Sequence, residues 1–211
     1  MHTEPLPFVV AIDGPAASGK GTIGRELAKR FKFRYLDTGL VYRTVAAELV
    51  RNYGDDFKIA QAVEVAGRIS EQIVDEPLLR SRELTMVVPR VAAIPQVRAA
   101  LIDFQRRFAR SAGGAVLDGR DIGTVICPEA AVKLYVTANA QVRAHRRWLE
   151  VGGEESQVLA EVQERDARDM ARADAPLRAA EDAVVIDTSE MGIVEAVEQA
   201  VAVVAERLAH G

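Results

Sequence analysis

Short apolar runs alternate along the chain with longer segments in which apolar residues recur every three or four positions. The short runs predict buried strands, and the longer spacing predicts helices with one packed face. The predicted strands cover residues 8–12, 34–37, 114–118, 132–136 and 184–187. Because helical segments separate these strands, the pattern predicts an α/β fold with a five-stranded parallel sheet flanked by helices.

An aspartate stands at or just after the end of several predicted strands. These residues are Asp13, Asp37, Asp118 and Asp187. Ligands of open parallel sheets bind at the carboxyl ends of the strands. The strand-end aspartates therefore predict one active cleft along that edge of the sheet.

The apolar spacing also predicts where helices lie. Residues 44–112 are mostly helical by this criterion, with an apolar series at Val91, Ile94, Val97, Leu101 and Phe104. The last helix is expected to pack through Val194, Val197, Val201 and Val204. Residues 149–157, rich in Gly and Glu, are expected to connect two Arg-rich helices. With no internal repeat or low-complexity linker, the 211 residues are expected to form one domain.

Composition narrows the class of protein. Hydrophobic residues make up 49% and charged residues 27%, which excludes a disordered chain, and the net charge of −4 argues against a nucleic-acid-binding surface. Cys127 is the single cysteine, so a disulfide framework is excluded, and we expect it to be buried as a small hydrophobe. No signal peptide or membrane-spanning run is recognised, which predicts a cytoplasmic protein without a membrane partner.

The first predicted strand runs into the pattern G-x-x-x-x-G-K, followed by a helix. Glycines allow the backbone to curl so that N–H groups face a phosphate, and the lysine supplies a mobile positive charge. The alternative is a Gly-rich strand–helix turn without a ligand. The loop, here called the phosphate loop, comprises Gly14, Pro15, Ala16, Ala17, Ser18, Gly19, Lys20, Gly21 and Thr22.

The phosphate loop departs from the general motif at Gly21, where a Ser or Thr would hold Mg²⁺ directly. The resulting G-K-G-T resembles nucleoside monophosphate kinases rather than GTPases. In such kinases, Mg²⁺ is held by the nucleotide phosphates and water, with little direct protein ligation.

Two further motifs follow predicted strands. Thr38 is expected to cap the helix after the second strand and Arg43 to lie about a turn later, although a capped helix with a solvated arginine is equally compatible. Asp118 ends the third strand, where a metal-side carboxylate of such enzymes lies, and Arg120 and Asp121 follow it. The alternative for this second motif is a tight Asp-Gly turn.

Arginines also recur at helical spacing. Arg165, Asp169 and Arg172 stand at i, i+4 and i+7, so they share one helix face, and Arg143 and Arg147 stand at i and i+4. A salt-bridged surface helix is the commoner explanation of such patterns.

Taken together, these motifs resemble the bacterial cytidylate kinases, which are P-loop nucleoside monophosphate kinases. The likeness extends almost end to end and includes Val97-Arg98, Gln105-Arg106 and Ala175-Pro176-Leu177. It implies transfer of the ATP γ-phosphoryl group to CMP or dCMP, with Mg²⁺ accompanying ATP and Asp118 contacting the ion through water. It further implies that the protein acts as a monomer.

The resemblance also assigns roles by position. It implies that the phosphate loop, Arg143 and Arg147 bind ATP. The implied acceptor-binding residues are Thr38, Arg43, Arg98, Arg120, Asp121, Arg165, Asp169 and Arg172. Among these, Arg98 and Asp121 would contact cytosine, and Asp169 the ribose. The implied catalytic residues are Lys20, Arg120, Arg165 and Arg172.

Within the single domain, the resemblance implies a core (residues 8–43, 113–148 and 183–210), an acceptor-binding segment (44–112) and a lid (149–173). Two features depart from many relatives. Pro89 stands where a Ser often contacts the base, and the segment between Arg43 and Arg98 is short, with no hairpin signal at 69–88.

Other functions compatible with the phosphate loop are a small kinase acting on another monophosphate or a sugar acid, a GTPase-like switch, and a nucleotide sensor without turnover. A switch requires an Asn-Lys-x-Asp stretch that reads guanine, and the chain has none.

Overall fold

A computed structural model describes residues 7–69, 79 and 82–210 of the chain. They fall into two compact units. The first, here called the sheet unit, comprises Met1–Leu36 and Ala109–Gly211; the second, the helical unit, comprises Asp37–Phe108.

The sheet has five strands in the order β2–β3–β1–β4–β5. The strands are β1 Val9–Asp13, β2 Arg34–Asp37, β3 Ala115–Gly119, β4 Val132–Thr137 and β5 Val184–Asp187. The central β1 runs parallel to β3 and to β4, and β4 runs parallel to β5. The predicted fold class is therefore confirmed, and all five predicted strands are present.

Strand β3 begins one residue later than the sequence predicts. Gly114 has a φ of +79°, and a Cβ there would lie 2.5 Å from Cδ1 of Phe33. Its left-handed backbone and the close ring place Gly114 before the strand.

The described residues contain eight helices. They are α1 Lys20–Phe31, α2 Thr38–Tyr53, α3 Ile59–Gly67, α4 Arg82–Ala92, α5 Pro95–Ala109, α6 Ala140–Val151, α7 Glu155–Met170 and α8 Ile193–His210. A single π-helical segment, Ile122–Ile126, follows β3 and is here called the π-turn.

The core of the sheet unit lies between the strands and helices α1 and α8. Its members include Val10, Ile12, Ile23, Leu27, Val116, Leu134, Ile186, Ala196, Ala200 and Val204. Ile12, Ile23 and Leu134 are essentially inaccessible to solvent. Burial of such side chains contributes about 1.5–3 kcal/mol each, so this core holds β1 and α1 firmly beside each other.

The expected packing face of α8 is partly wrong. Val201 and Val204 are buried, but Val194 is 73% exposed. The buried face instead begins at Ala196 and Ala200, whose small side chains allow a close approach to the helix.

The helical unit contains helices α2–α5, with α2 packed against α3 and α4. The apolar series expected between Val91 and Phe104 is divided, because α4 ends at Ala92 and α5 begins at Pro95. A proline is favoured at the first position of a helix, since it has no N–H to donate. Residues 70–78, 80 and 81 lie outside the described residues. They make up much of the segment 69–88 in which no hairpin is expected. Residues 82–88 of that segment belong to α4.

The connection between the Arg-rich helices is shorter than the expected 149–157. Helix α6 continues to Val151 and α7 begins at Glu155, so only residues 152–154 connect them. Gly152 and Gly153 have φ values of +70° and +87°, which allow this abrupt turn. Among the described helices, none is long and apolar enough to cross a membrane.

Candidate active site

The phosphate loop joins β1 to α1 in the conformation that its glycines require. A Cβ at Gly14 would lie 2.0 Å from the carbonyl oxygen of Val136, so no other residue fits there. Gly19 has a φ of +94° and precedes α1, and its carbonyl accepts hydrogen bonds from Thr22 and Ile23. The loop therefore ends at a helix N-terminus, where free N–H groups favour an anion.

Two polar side chains of the phosphate loop, those of Lys20 and Ser18, bear on anion binding. Lys20 Nζ donates to the Pro15 carbonyl at 3.3 Å, which folds the side chain back over the loop. Ser18 is fully buried, and its Oγ has no hydrogen-bond partner among the described residues. A buried hydroxyl without a partner requires an explanation, and a bound ligand is one.

Asp118, at the end of β3, lies against the first turn of α1. Its Oδ2 accepts a hydrogen bond from Tyr35 Oη at 2.7 Å, and a Cβ at Gly21 would lie 3.3 Å from the same oxygen. This proximity gives a structural reason for the glycine in G-K-G-T. No cluster of three metal-ligating side chains exists within the described residues.

Asp13 is a site residue that the sequence analysis did not assign. Its buried carboxylate accepts hydrogen bonds from the backbone amides of Ile122 and Gly123, at 2.8 and 2.7 Å. Burial raises the pKa of Asp13 from 3.8 to about 6, although both amides oppose the shift. The nearby charge of Asp121 also raises this pKa, and that of Lys20 lowers it. In the sequence, Asp13 was marked as a possible site residue by its place among the aspartates at strand ends.

Three arginines meet at one buried carboxylate, that of Asp169. Arg172 Nη2 lies 2.6 Å from Oδ1, Arg165 Nε lies 4.0 Å from Oδ2, and Arg120 Nε donates to Oδ2. The Asp169 side chain is only 4% exposed, whereas those of Arg172 and Arg165 are 31% and 41% exposed. These four residues, here called the arginine cluster, keep an excess of positive charge that solvent or a ligand can reach.

Arg143 connects the phosphate loop to the helix that carries Asp169. Its guanidinium donates to both carboxylate oxygens of Asp166 in α7, at 3.1 and 2.5 Å, and to the Ala16 carbonyl at 3.3 Å. Asp166 and Asp169 are three residues apart and so share a face of α7. By contrast, Arg147 bonds Glu150 of its own helix, at 2.9 Å.

A second link to the phosphate loop was also missed from the sequence. The buried hydroxyl of Thr188 donates to the Ser18 carbonyl at 3.0 Å. Arg146 in turn donates to the hydroxyl and the carbonyl of Thr188, at 2.9 and 2.7 Å. No sequence motif marks this pair, because its members come from α6 and from the loop after β5.

In the helical unit, the expected cap of α2 is wrong by one residue. The helix begins at Thr38, and Asp37 is its N-cap, with Oδ1 accepting from the Leu40 amide at 3.2 Å. Thr38 is buried in the first turn. Arg43, one turn later, donates to the Leu79 carbonyl at 2.8 Å, and Arg98 lies in α5.

The alternative explanation of the motif at the end of β3, a tight turn at Asp118 and Gly119, is wrong. The strand continues to Gly119, and Asp121 is the residue that precedes the π-turn. A parallel sheet with a glycine-rich loop between β1 and α1, and a carboxylate from β3 beside that loop, defines the P-loop class of nucleotide-binding proteins.

Comparison with known proteins gives the family within that class. A family model described as Cytidylate kinase matches residues 10–206. The chain is 51% identical to a protein named Cytidylate kinase from Cereibacter sphaeroides strain KD131, across 98% of this chain and 99% of that protein. It is 49% identical to another of that name from Rhodopseudomonas palustris strain BisB18, across 93% and 95%.

A solved structure is similar in fold alone. The shikimate kinase from Bacteroides thetaiotaomicron superposes with a TM-score of 0.52, at 11% identity, over 95% of this chain and 98% of that one. With the family model and the relatives, the result is plain: the chain belongs to the cytidylate kinase family, and it is an ATP-dependent kinase.

Proposed function

We propose that this kinase transfers the γ-phosphoryl group of ATP to CMP or dCMP, giving ADP and the corresponding diphosphate. The observation that carries the acceptor side is the arginine cluster, in which Asp169 holds three guanidinium groups together. Guanidinium groups bind phosphate through paired N–H donors, which suits a nucleoside monophosphate.

The phosphate loop is proposed to hold the ATP phosphates. Its support is the helix N-terminus at Gly19, the nearby ammonium of Lys20 and the buried, unpartnered hydroxyl of Ser18. Arg143 and Arg147, which we assigned to ATP from the resemblance, differ in their surroundings. Because Arg143 is buried and bonded to Asp166 and the Ala16 carbonyl, we propose that it positions the loop. Arg147, with 34% of its side chain exposed, is retained as a proposed ATP contact.

The acceptor is proposed to be bound by the residues that the resemblance assigns to it. Arg43, Arg120 and Arg172 would bind its phosphate. Asp169 would bind its ribose, with Arg165 beside it, and Arg98 and Asp121 would contact its base. Thr38 is proposed to line the acceptor site. These assignments rest on position within the family's motifs, and we retain the acceptor-binding segment 44–112 and the lid 149–173 on the same basis.

Mg²⁺ is proposed as the companion of ATP. The residues present fit an ion carried mainly by nucleotide phosphates and water. The carboxylate of Asp118 lies beside the first turn of α1, and the described residues hold no cluster of three metal-ligating side chains. Asp118 would contact the ion through water, and the ion would offset charge on the outer phosphates.

Catalysis in this scheme is positioning and charge stabilisation. Arginines of the cluster place the acceptor phosphate in line with the γ-phosphorus, while Lys20 offsets charge on the transferring group. An oxygen of the acceptor phosphate is already anionic near neutral pH, so no strong general base is required. We further propose that the protein works as a monomer in the cytoplasm, consistent with a single cysteine and no disulfide.

Replacing Lys20 by Ala tests this function. Turnover should fall by about 10²–10³-fold, because a preorganised charge on the transferring group is lost, while the fold should remain. The measurement is ADP release from ATP that depends on added CMP, with circular dichroism to check folding. Lys29→Ala, on the exposed face of the same helix, is the control and should retain normal turnover. Normal CMP-dependent turnover in the Lys20 variant would refute the proposed role of the loop.

A further inference from the structure

The carboxylate of Asp13 makes two contacts that no part of the proposed chemistry uses. It lies at the end of β1, is 4% exposed, and accepts one hydrogen bond at each oxygen, from the amides of Ile122 and Gly123. These residues are the first two of the π-turn. The contact therefore joins the last residue before the phosphate loop to the segment that follows β3, across more than one hundred positions of sequence.

The residue that directly precedes these two amides in the chain is Asp121. Its carbonyl accepts hydrogen bonds from the amides of Val125 and Ile126, at 2.9 and 3.1 Å. The two amides that follow it in the chain donate to Asp13. The backbone on the C-terminal side of Asp121 is thus fixed by four hydrogen bonds, and two of them depend on one side chain.

We propose that Asp13 is a positioning residue for the choice of acceptor base: its buried carboxylate anchors the first two amides of the π-turn and thereby orients Asp121. This inference rests on the proposed function, in which Asp121 contacts the cytosine of CMP. Asp13 itself touches neither substrate in this scheme.

Only a carboxylate satisfies both amides. An asparagine of the same shape offers one oxygen and one NH₂ group, so one of the two amides would face another donor. A buried donor without an acceptor is costly, and the π-turn would move to relieve it. Recognition groups must be held to within about 0.5 Å of their working position. A movement of the π-turn that displaced Asp121 by more than this would weaken recognition of the base.

The π-turn has little room to move without breaking the contact. A Cβ at Gly123 would lie 3.3 Å from Asp13 Oδ2 and 3.2 Å from Cγ and Cδ of Lys133. Gly123→Ala therefore disturbs the same contact from the other side, without altering any titratable group. It serves as a second variant if Asp13→Asn does not fold.

The test compares kcat/KM for CMP and for UMP in a set of variants. Cytosine presents an amino donor to a carboxylate, whereas uracil presents a carbonyl, so a displaced Asp121 loses more with CMP than with UMP. We expect Asp13→Asn and Gly123→Ala to narrow the CMP/UMP ratio by at least about fivefold. Val204→Ala leaves a cavity in the core formed by α1 and α8, away from the π-turn. It should lower Tm and leave the CMP/UMP ratio unchanged.

A double variant separates positioning from an independent effect. If Asp13 acts through Asp121, Asp13→Asn combined with Asp121→Asn should give a ratio within about twofold of Asp121→Asn alone. If the two substitutions changed the CMP/UMP ratio independently, so that their separate effects multiplied in the double variant, the proposal would be overturned. An unchanged CMP/UMP ratio in both Asp13→Asn and Gly123→Ala, each shown to be folded, would also overturn it.

Amide hydrogen exchange tests the contact without any substrate. The Ile122 and Gly123 amides should be protected in the unmodified protein and should lose protection in Asp13→Asn, more than in Val204→Ala. If the unmodified protein showed no preference for CMP, the proposed function would fail, yet this exchange result would still stand. Unprotected amides in the unmodified protein would overturn the positioning role itself.

Discussion

At the scale of single residues, the arginine cluster shows how one buried carboxylate sets the direction of several charged groups. Asp169 is almost inaccessible, while its partners Arg165 and Arg172 remain partly exposed. Asp169 would keep Arg120 and Arg165 as partners if Arg172 were removed, so a structural role alone would leave kcat/KM of the folded protein largely unchanged. A role in binding the acceptor phosphate would make Arg172 essential for activity.

Replacing Arg172 by Ala separates these roles. We expect kcat/KM for CMP to fall by at least about tenfold, equivalent to 1.4 kcal/mol. Arg168→Ala is the matched control, since the Arg168 side chain is 51% exposed and forms an ion pair with Glu164 on its own helix. It should change kcat/KM by less than about twofold. Equal effects of the two variants would contradict the assignment of the cluster.

The raised pKa of Asp13 gives a prediction for stability. Because burial raises this pKa from 3.8 to about 6, the folded chain holds the proton more tightly than the unfolded chain. The stability gained from that proton is complete below pH 3.8 and is lost as the pH rises through about 6. Relative to Asp13→Asn, the unmodified protein should gain about 1.4 kcal/mol between about pH 8 and about pH 5.

Urea unfolding of both proteins at the two pH values measures this difference. The hydrogen bond that Asp13→Asn removes affects stability at every pH, so only the change between the two pH values reports the pKa. If the difference in the free energy of unfolding between the unmodified protein and Asp13→Asn were the same at both pH values, the pKa of Asp13 would not be raised in the folded protein.

The sequence could predict part of this site and not the rest. Arg165, Asp169 and Arg172 were visible because residues of one helix face follow a fixed spacing. The partners of Asp13 and of Arg143 were not visible, since a hydrogen bond between residues 109 or 23 positions apart leaves no local pattern. Asp13 was recognisable as a polar residue at a strand end, but nothing in the sequence indicated what it would bind.

At the scale of elements, the strands were predictable because each is an apolar run in a chain whose other apolar residues follow helical spacing. The ends of helices were less predictable. Asp37 and Thr38 are both good caps, and only the hydrogen bond from the Leu40 amide distinguishes them. The buried face of α8 was misplaced because Ala196 and Ala200 are less conspicuous than valines, although small residues suit a close helix contact.

The ion pair between Arg143 and Asp166 joins α6 to α7, so its loss is expected to lower the stability of the fold. Both side chains are largely buried, at 6% and 14% exposure. Arg143→Ala would leave the Asp166 charge without its partner, so the free energy of unfolding should fall by about 3 kcal/mol or more. Urea unfolding with an unchanged m value is the measurement.

Arg147→Ala is the control for that prediction. Arg147 lies four residues later in the same helix, and its partner Glu150 is 61% exposed. Its replacement should change the free energy of unfolding by less than about 1 kcal/mol. A similar loss in the two variants would show that the buried pair contributes no more than a surface pair.

At the scale of the whole molecule, strand order determines which side chains can meet. Strand β1 lies between β3 and β4, so the phosphate loop that follows β1 is flanked by the ends of both. Sequence spacing predicted parallel strands but could not give their order, because order depends on how each helical connection crosses the sheet. The order explains why Asp118 and the π-turn both lie beside residues of the loop or its preceding strand.

In the proposed scheme, this P-loop kinase phosphorylates CMP or dCMP. The most direct measurement is kcat/KM for ADP release with ATP alone and with CMP, UMP, AMP, GMP or shikimate as acceptor. We predict little ADP without an acceptor, and a kcat/KM for CMP at least about tenfold above that for each other compound. Equal turnover with several monophosphates, preferred turnover of shikimate, or ADP release independent of any acceptor would contradict the account.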